Sequence, residues 1–228
     1  GNSSVRRGED AIAPLAEGTH EVVRTLALLG PPVPSDAQKP VIFPDLALVQ
    51  ALKGGVADSL QPNRPIVAVH ISARKPSQRW PIENFTRLIA ALTSRQYNVI
   101  VLWSPGKEDD ARHPGDDNKA QALQTACTGP LAFVPTPHLK QLIAALALCQ
   151  IVICSDGGAM HLAAALDKPI VCLFGKSDAK RWHPYGVPYR LLQHDTLDVN
   201  DITVAEVLGA LDDLIKTRPA SDDRSILV

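Results

Sequence analysis

Six short runs of β-branched and aliphatic residues punctuate this chain: IVAVH (66–70), NVIVLW (98–103), LAFV (131–134), IVIC (151–154), IVCLF (170–174) and YRLLQ (189–193). Apolar residues fall at helical spacing over 82–95, 108–126 with an interrupted start, 139–149, 159–166 and 203–215, and a further helix at about 45–60 precedes the first run. Strands alternating with helices of this length dictate an α/β fold, a parallel sheet with helices on both faces. Such sheets take their ligands at the carboxyl ends of the strands. The 228 residues, 45% apolar and 21% charged, suffice for a buried core in one large domain or two small ones.

The net charge of −1 gives no general electrostatic case for a nucleic-acid partner, so any anion must be held by a local site. The four cysteines, Cys127, Cys149, Cys154 and Cys172, lack CxxC spacing, and three of them fall in or beside apolar runs, as reduced thiols acting as small hydrophobes do. The most apolar stretch, 142–154, is too short to span a bilayer, and no charged-then-apolar leader opens the sequence. The expectation is a cytoplasmic protein without a transmembrane segment, free or peripheral to a membrane.

Four strand-to-helix loops carry the chemistry. The first, HISARKPSQRWP (70–81), offers Arg74, Lys75 and Arg79 as cations and Ser72 and Ser77 as hydroxyl donors ahead of a helix start, which suits a diphosphate; Trp80 reads as a packing anchor. The second, WSPGKEDDARHPGDD (103–117), places Glu108 or Asp109 as a helix cap or as a carboxylate for both hydroxyls of a ribose, with HPGDD disturbing the register. After the fourth run, SDGGAMH (155–161) sets Gly157 and Gly158 where a ligand can approach the backbone and where helix N–H groups lie free. Tight turns demand glycine for backbone reasons too. Asp156 caps the helix or meets sugar hydroxyls, since it would repel a phosphate, and His161 reaches the ligand or fills a polar pocket. In the fourth loop, GKSDAKRWHPYG (175–186), Lys176 or Lys180 could reach an anion, Ser177 and Asp178 are cap candidates, and Trp182 to Tyr185 form a bulky lid.

In combination these segments are specific. SDGGAMHLAAALDKPIVCLFGKSDAKRWHPYG resembles the signature of the family 9 glycosyltransferases, the lipopolysaccharide heptosyltransferases, and HISARKPSQRWPIENFTRLIAAL is similar to that family's first loop and helix. With HEVVRTLALL the similarity runs from about His20 to Leu211. Two positions depart from the family pattern: a hydroxyl residue commonly stands where this chain has Gly157, and a lysine where it has Gln78. The first removes a phosphate donor, the second a cation that Arg74 or Lys75 would have to replace.

The resemblance implies the C-terminal, donor-binding half of a GT-B transferase, a Rossmann-like domain. Residues 1–18 then read as a disordered or vector-derived edge, 19–44 as an interdomain helix and linker, 45–218 as the nucleotide-sugar-binding domain and 219–228 as a tail. It implies inverting, metal-independent transfer from a nucleotide diphosphate sugar, ADP-heptose, to a lipopolysaccharide core acceptor, with no cofactor. The donor would be held by Ser72, Arg74, Lys75, Arg79, Glu108, Asp156, Gly157, Gly158 and His161, while the acceptor and the general base would belong to an N-terminal domain that this chain lacks. Two rivals stand beside this reading: a non-catalytic nucleotide-binding module, and a sugar-nucleotide epimerase of the same architecture.

Overall fold

Each apolar run forms a strand: β1 (Ile66–His70), β2 (Asn98–Trp103), β3 (Leu131–Pro135), β4 (Ile151–Ser155), β5 (Ile170–Leu173) and β6 (Tyr189–Leu192). The structure, a computed structural model, describes residues 16–27, 39–110 and 114–217. Residues 1–15, most of the proline-rich connector and the 219–228 tail lie outside the described residues. All strand pairs are parallel, in the order β3-β2-β1-β4-β5-β6. The chain thus enters the middle of the sheet at β1, winds out to one edge, crosses back beside β1 and winds out to the other.

Parallel neighbours require crossovers, and helices supply most of them. They are α3 (Ile82–Ser94), α4 (Asp117–Ala126), α5 (Leu139–Leu148), α6 (Gly158–Ala165), α7 (Ala179–Trp182) and α8 (Val204–Lys216), with α1 (Glu21–Ala27) and α2 (Leu46–Val56) ahead of β1. Successive strand side chains point to opposite faces, so each strand feeds two cores. Val67, Val69, Val101 and Ile153 pack with Leu88 and Leu92 of α3 and with Leu211 and Leu214 of α8. Ala68, Ile100, Val152 and Cys172 pack with Leu146 of α5 and with Met160 and Ala163 of α6. Trp80 is the anchor its sequence context implied: it is buried, its indole N–H donates to the Ile202 carbonyl at 2.8 Å, and its ring meets Phe85 edge-on.

The second crossover differs from the sequence expectation. No helix begins at Glu108; α4 starts at Asp117, after a turn in which Asp117 accepts from the Gly106 N–H (2.9 Å) and from the Trp103 indole (2.8 Å). The proline and glycine of HPGDD exclude the earlier helical turns, so Glu108 caps nothing. A short helix that the spacing did not reveal, α7, is capped by Asp178, which accepts from the N–H groups of Lys180 and Arg181. Cys149, Cys154 and Cys172 are free and buried, and burial pushes their thiols up, that of Cys149 to about 12. No helix among the described residues is long and apolar enough to cross a membrane.

Candidate nucleotide site

β1 and β4 are neighbours, yet α3 and α6, the helices that follow them, cover opposite faces of the sheet. Their loops must part at the carboxyl edge, and the crevice between them is where a doubly wound sheet binds nucleotides. A cleft of about 570 Å³ opens there. The β1 loop contributes Ser72, Arg74, Lys75 and Gln78; β4 and its loop contribute Ser155, Asp156, Gly157, Gly158 and His161; Ser104, Thr136, Ser177 and Trp182 come from the neighbouring loops.

The geometry of the two glycines bears on the readings left open by the sequence. The Gly157 backbone is extended, at φ 161° and ψ −170°, a conformation open to any residue. A Cβ built at Gly157 or Gly158 meets nothing within 4 Å. Neither backbone geometry nor packing therefore requires glycine, and the space a side chain would take belongs to the cleft. The first helical hydrogen bond of α6 runs from the Met160 N–H to the Gly157 carbonyl (3.2 Å), so the preceding N–H groups have no helical acceptor and face the positive end of the helix dipole. Gly175 is different: a Cβ there would collide with the Ser77 carbonyl, so this glycine exists to let the β5 loop press against the β1 loop.

Of the cations, Arg74 and Lys75 are exposed at the cleft, and among the described residues their side chains make no ion pair or hydrogen bond. Ser72 Oγ accepts from the Ser104 N–H (2.9 Å), which joins the loops after β1 and β2 and leaves the hydroxyl proton to donate. Arg79 and Glu108 are not brought to the cleft. Arg79 donates from Nε to the Ala73 carbonyl (3.1 Å) and from Nη1 to Glu108 Oε1 (2.6 Å), bracing the β1 loop from outside. Lys176 and Lys180 also stand off the lining.

Asp156 is buried at the end of β4, where its N–H extends the ladder to the Leu173 carbonyl. Its Oδ2 accepts from the Gln78 amide at 2.6 Å, and the same Nε2 reaches Ser177 Oγ at 3.0 Å. His161 is held below its ordinary pKa by burial, against the raising effect of Asp156, and its ring lies 6.2 Å from that of Trp182. Residues that sequence reasoning missed include His70 and Thr136, the last residue of β1 and the first after β3. A polar side chain closing an apolar strand was the signal available. Burial drives His70 down to about 4 despite Asp116, whose carboxylate stands 2.9 Å from Lys119 Nζ.

Beside the cleft, α1 is clasped to the α7 turn. His20 Nδ1 accepts from the Val22 N–H and its Nε2 donates to the His183 carbonyl (2.8 Å), a pairing that requires the neutral ring, and Glu21 meets Arg181 at 2.7 Å.

The arrangement is a cradle of free N–H groups and two unpaired cations, with a buried carboxylate at one wall. It can hold a diphosphate and read hydroxyls beyond it. The chain is similar to several known proteins. Lipopolysaccharide heptosyltransferase 2 of Salmonella typhimurium is 31% identical over 145 residues, which is 62% of this chain and 40% of that protein. The Escherichia coli K12 protein of the same name gives the same figures. The chain thus spans less than half the length of these relatives. In fold it is similar to a family 9 glycosyltransferase from Veillonella parvula, with TM-score 0.72 and 20% identity over 90% of this chain and 63% of the other. It is similar also to E. coli ADP-heptose heptosyltransferase II, with TM-score 0.67 and 23% identity over 80% of this chain and 55% of the other. The α/β, Rossmann-like sheet expected from the sequence is therefore the one seen in GT-B heptosyltransferases. The model of glycosyltransferase family 9 (heptosyltransferase) matches residues 9–201, and the chain belongs to that family.

Proposed function

We propose that this chain is the donor-binding part of a heptosyltransferase-like glycosyltransferase, taking an ADP-sugar for inverting, metal-independent transfer to a lipopolysaccharide core acceptor. The observation that carries it is the pair Gly157 and Gly158, which line the cleft and leave the space a side chain would take open. One relative of known fold, an E. coli heptosyltransferase, was solved both with ADP and with ADP-2-deoxy-2-fluoro heptose, ligands whose chemistry suits a cleft of this composition.

In glycosyl transfer the bond from the sugar to the diphosphate breaks as an oxocarbenium-like sugar forms, and negative charge grows on the leaving phosphate. Arg74, Lys75 and the N–H groups at the start of α6 would meet that charge more strongly in the transition state than in the ground state. Each such donor lowers the barrier by roughly 3 kcal/mol. Their combined charge gives the leaving group a counterion without a divalent metal. Asp156, with Oδ2 already engaged, offers Oδ1 to the sugar hydroxyls. The acceptor and the general base would come from an N-terminal domain, and in this reading no residue of the present chain is the base.

Calorimetry with ADP and with ADP-heptose, each with and without chelator, tests the reading. Both ligands are expected to bind and chelation to change nothing. Asp156→Asn is expected to weaken ADP-heptose about tenfold without weakening ADP, the effect of one charge-assisted hydrogen bond. Binding lost on chelation would remove the metal-independent site, and equal ADP-heptose affinity in the Asn variant would remove the sugar contact.

A further inference from the structure

Gln78 follows the cations of the β1 loop but is itself neutral, buried at 4% exposure on the cleft wall. Both hydrogens of its amide nitrogen are committed, one to Asp156 Oδ2 at 2.6 Å and one to Ser177 Oγ at 3.0 Å. This one side chain therefore ties together the loops after β1, β4 and β5. Asp156 Oδ1 has no donor among the described residues, while the carboxylate lines the cleft. An ammonium or guanidinium at position 78 would make an ion pair with Asp156 and cancel its charge. The amide orients the carboxylate without cancelling it.

We propose that Gln78 is a positioning residue for specificity: by holding Asp156 with a neutral donor, it keeps a full negative charge at the sugar end of the cleft and so favours a nucleotide sugar over the free nucleoside diphosphate. The proposal rests on the donor-site reading above. The two ligands differ at one phosphate. In the nucleotide sugar the terminal phosphate is esterified and followed by hydroxyls, which a carboxylate accepts from. In the free diphosphate that oxygen is released and carries an additional negative charge, which the carboxylate repels. The same group thus holds the donor before transfer and disfavours the diphosphate left after it, so Gln78 assists product discharge through Asp156.

Calorimetry with ADP and ADP-heptose on the wild type, Gln78→Met and Gln78→Lys distinguishes this role from a merely structural one. Thermal melts confirm that each variant folds. The wild type is expected to prefer ADP-heptose. In Gln78→Met, which removes the donor at similar volume, ADP-heptose is expected to weaken about tenfold and ADP to change less than twofold. In Gln78→Lys, ADP is expected to tighten about tenfold, closing or inverting the preference. A ratio of affinities unchanged in both variants overturns the proposal and leaves the donor site standing, as does unfolding of both, which would make Gln78 a structural tie alone. Failure of the wild type to bind either ligand overturns the donor-site reading and this inference with it.

Discussion

At the scale of single residues, glycines in neighbouring loops do opposite work. A Gly158→Val substitution places its side chain in the open space of the cleft, so nucleotide binding is expected to disappear while the circular dichroism spectrum and melting temperature stay near wild type. Gly175→Ala drives a methyl group against the Ser77 carbonyl, and there the expected effect is a loss of stability of order 1–3 kcal/mol, as for other overpacked positions. If Gly158→Val unfolds the chain instead, the cradle is a packing feature. The sequence marked both residues but could not separate them, because a glycine after a strand looks the same whether a ligand or a carbonyl occupies the space. Arg79 and Glu108 show the same limit. A basic loop and an acidic turn each suggested a ligand, yet the two side chains satisfy one another at 2.6 Å. The partner of a long charged side chain is set by where two loops meet, which spacing along one of them does not encode.

At the scale of elements, β1, β2 and α3 begin at the residues where the pattern starts, because each is bounded by a turn residue or proline and buries an apolar face. Leu88 in α3 has no exposure and sits under the sheet among Val69, Val101 and Leu214. Leu88→Ala is expected to cost about 2–5 kcal/mol, read as a lowered denaturant midpoint with an unchanged slope. A loss under 1 kcal/mol would mean that the core around α3 collapses into the vacated volume. The elements that were not legible are those whose termini depend on local turn chemistry. The start of α4 is fixed by the Asp117 bonds to Gly106 and Trp103, and α7 is a single turn that Asp178 caps, too short to show a period.

At the scale of the whole molecule, alternation alone foretold a parallel sheet, and the order β3-β2-β1-β4-β5-β6 places the cleft where that topology puts ligands. The electrostatics of the interior were not foretold. His70 stays neutral in the fold down to about pH 4, whereas the unfolded chain protonates it near 6.5, and burial lowers His20 and His161 in the same direction. The unfolded state thus binds more protons between those limits, and stability falls as pH falls through that window. From pH 7 to pH 5, His70 alone is expected to remove about 2 kcal/mol, measured by urea titration, and His70→Asn to flatten the dependence. An unchanged midpoint between the two pH values would contradict the neutral, buried ring. The amide tie between Gln78 and its partners has a kinetic consequence as well. It spans 78 residues to Asp156 and 99 to Ser177. Contacts of such separation close late, since the loop entropy must be lost before they form. A chain that has assembled only β1, β2 and β3 holds the cations without the glycine cradle. If the proposed donor site holds, a nucleotide would lack the glycine cradle until β4 docks beside β1, and its capture during refolding would time that docking.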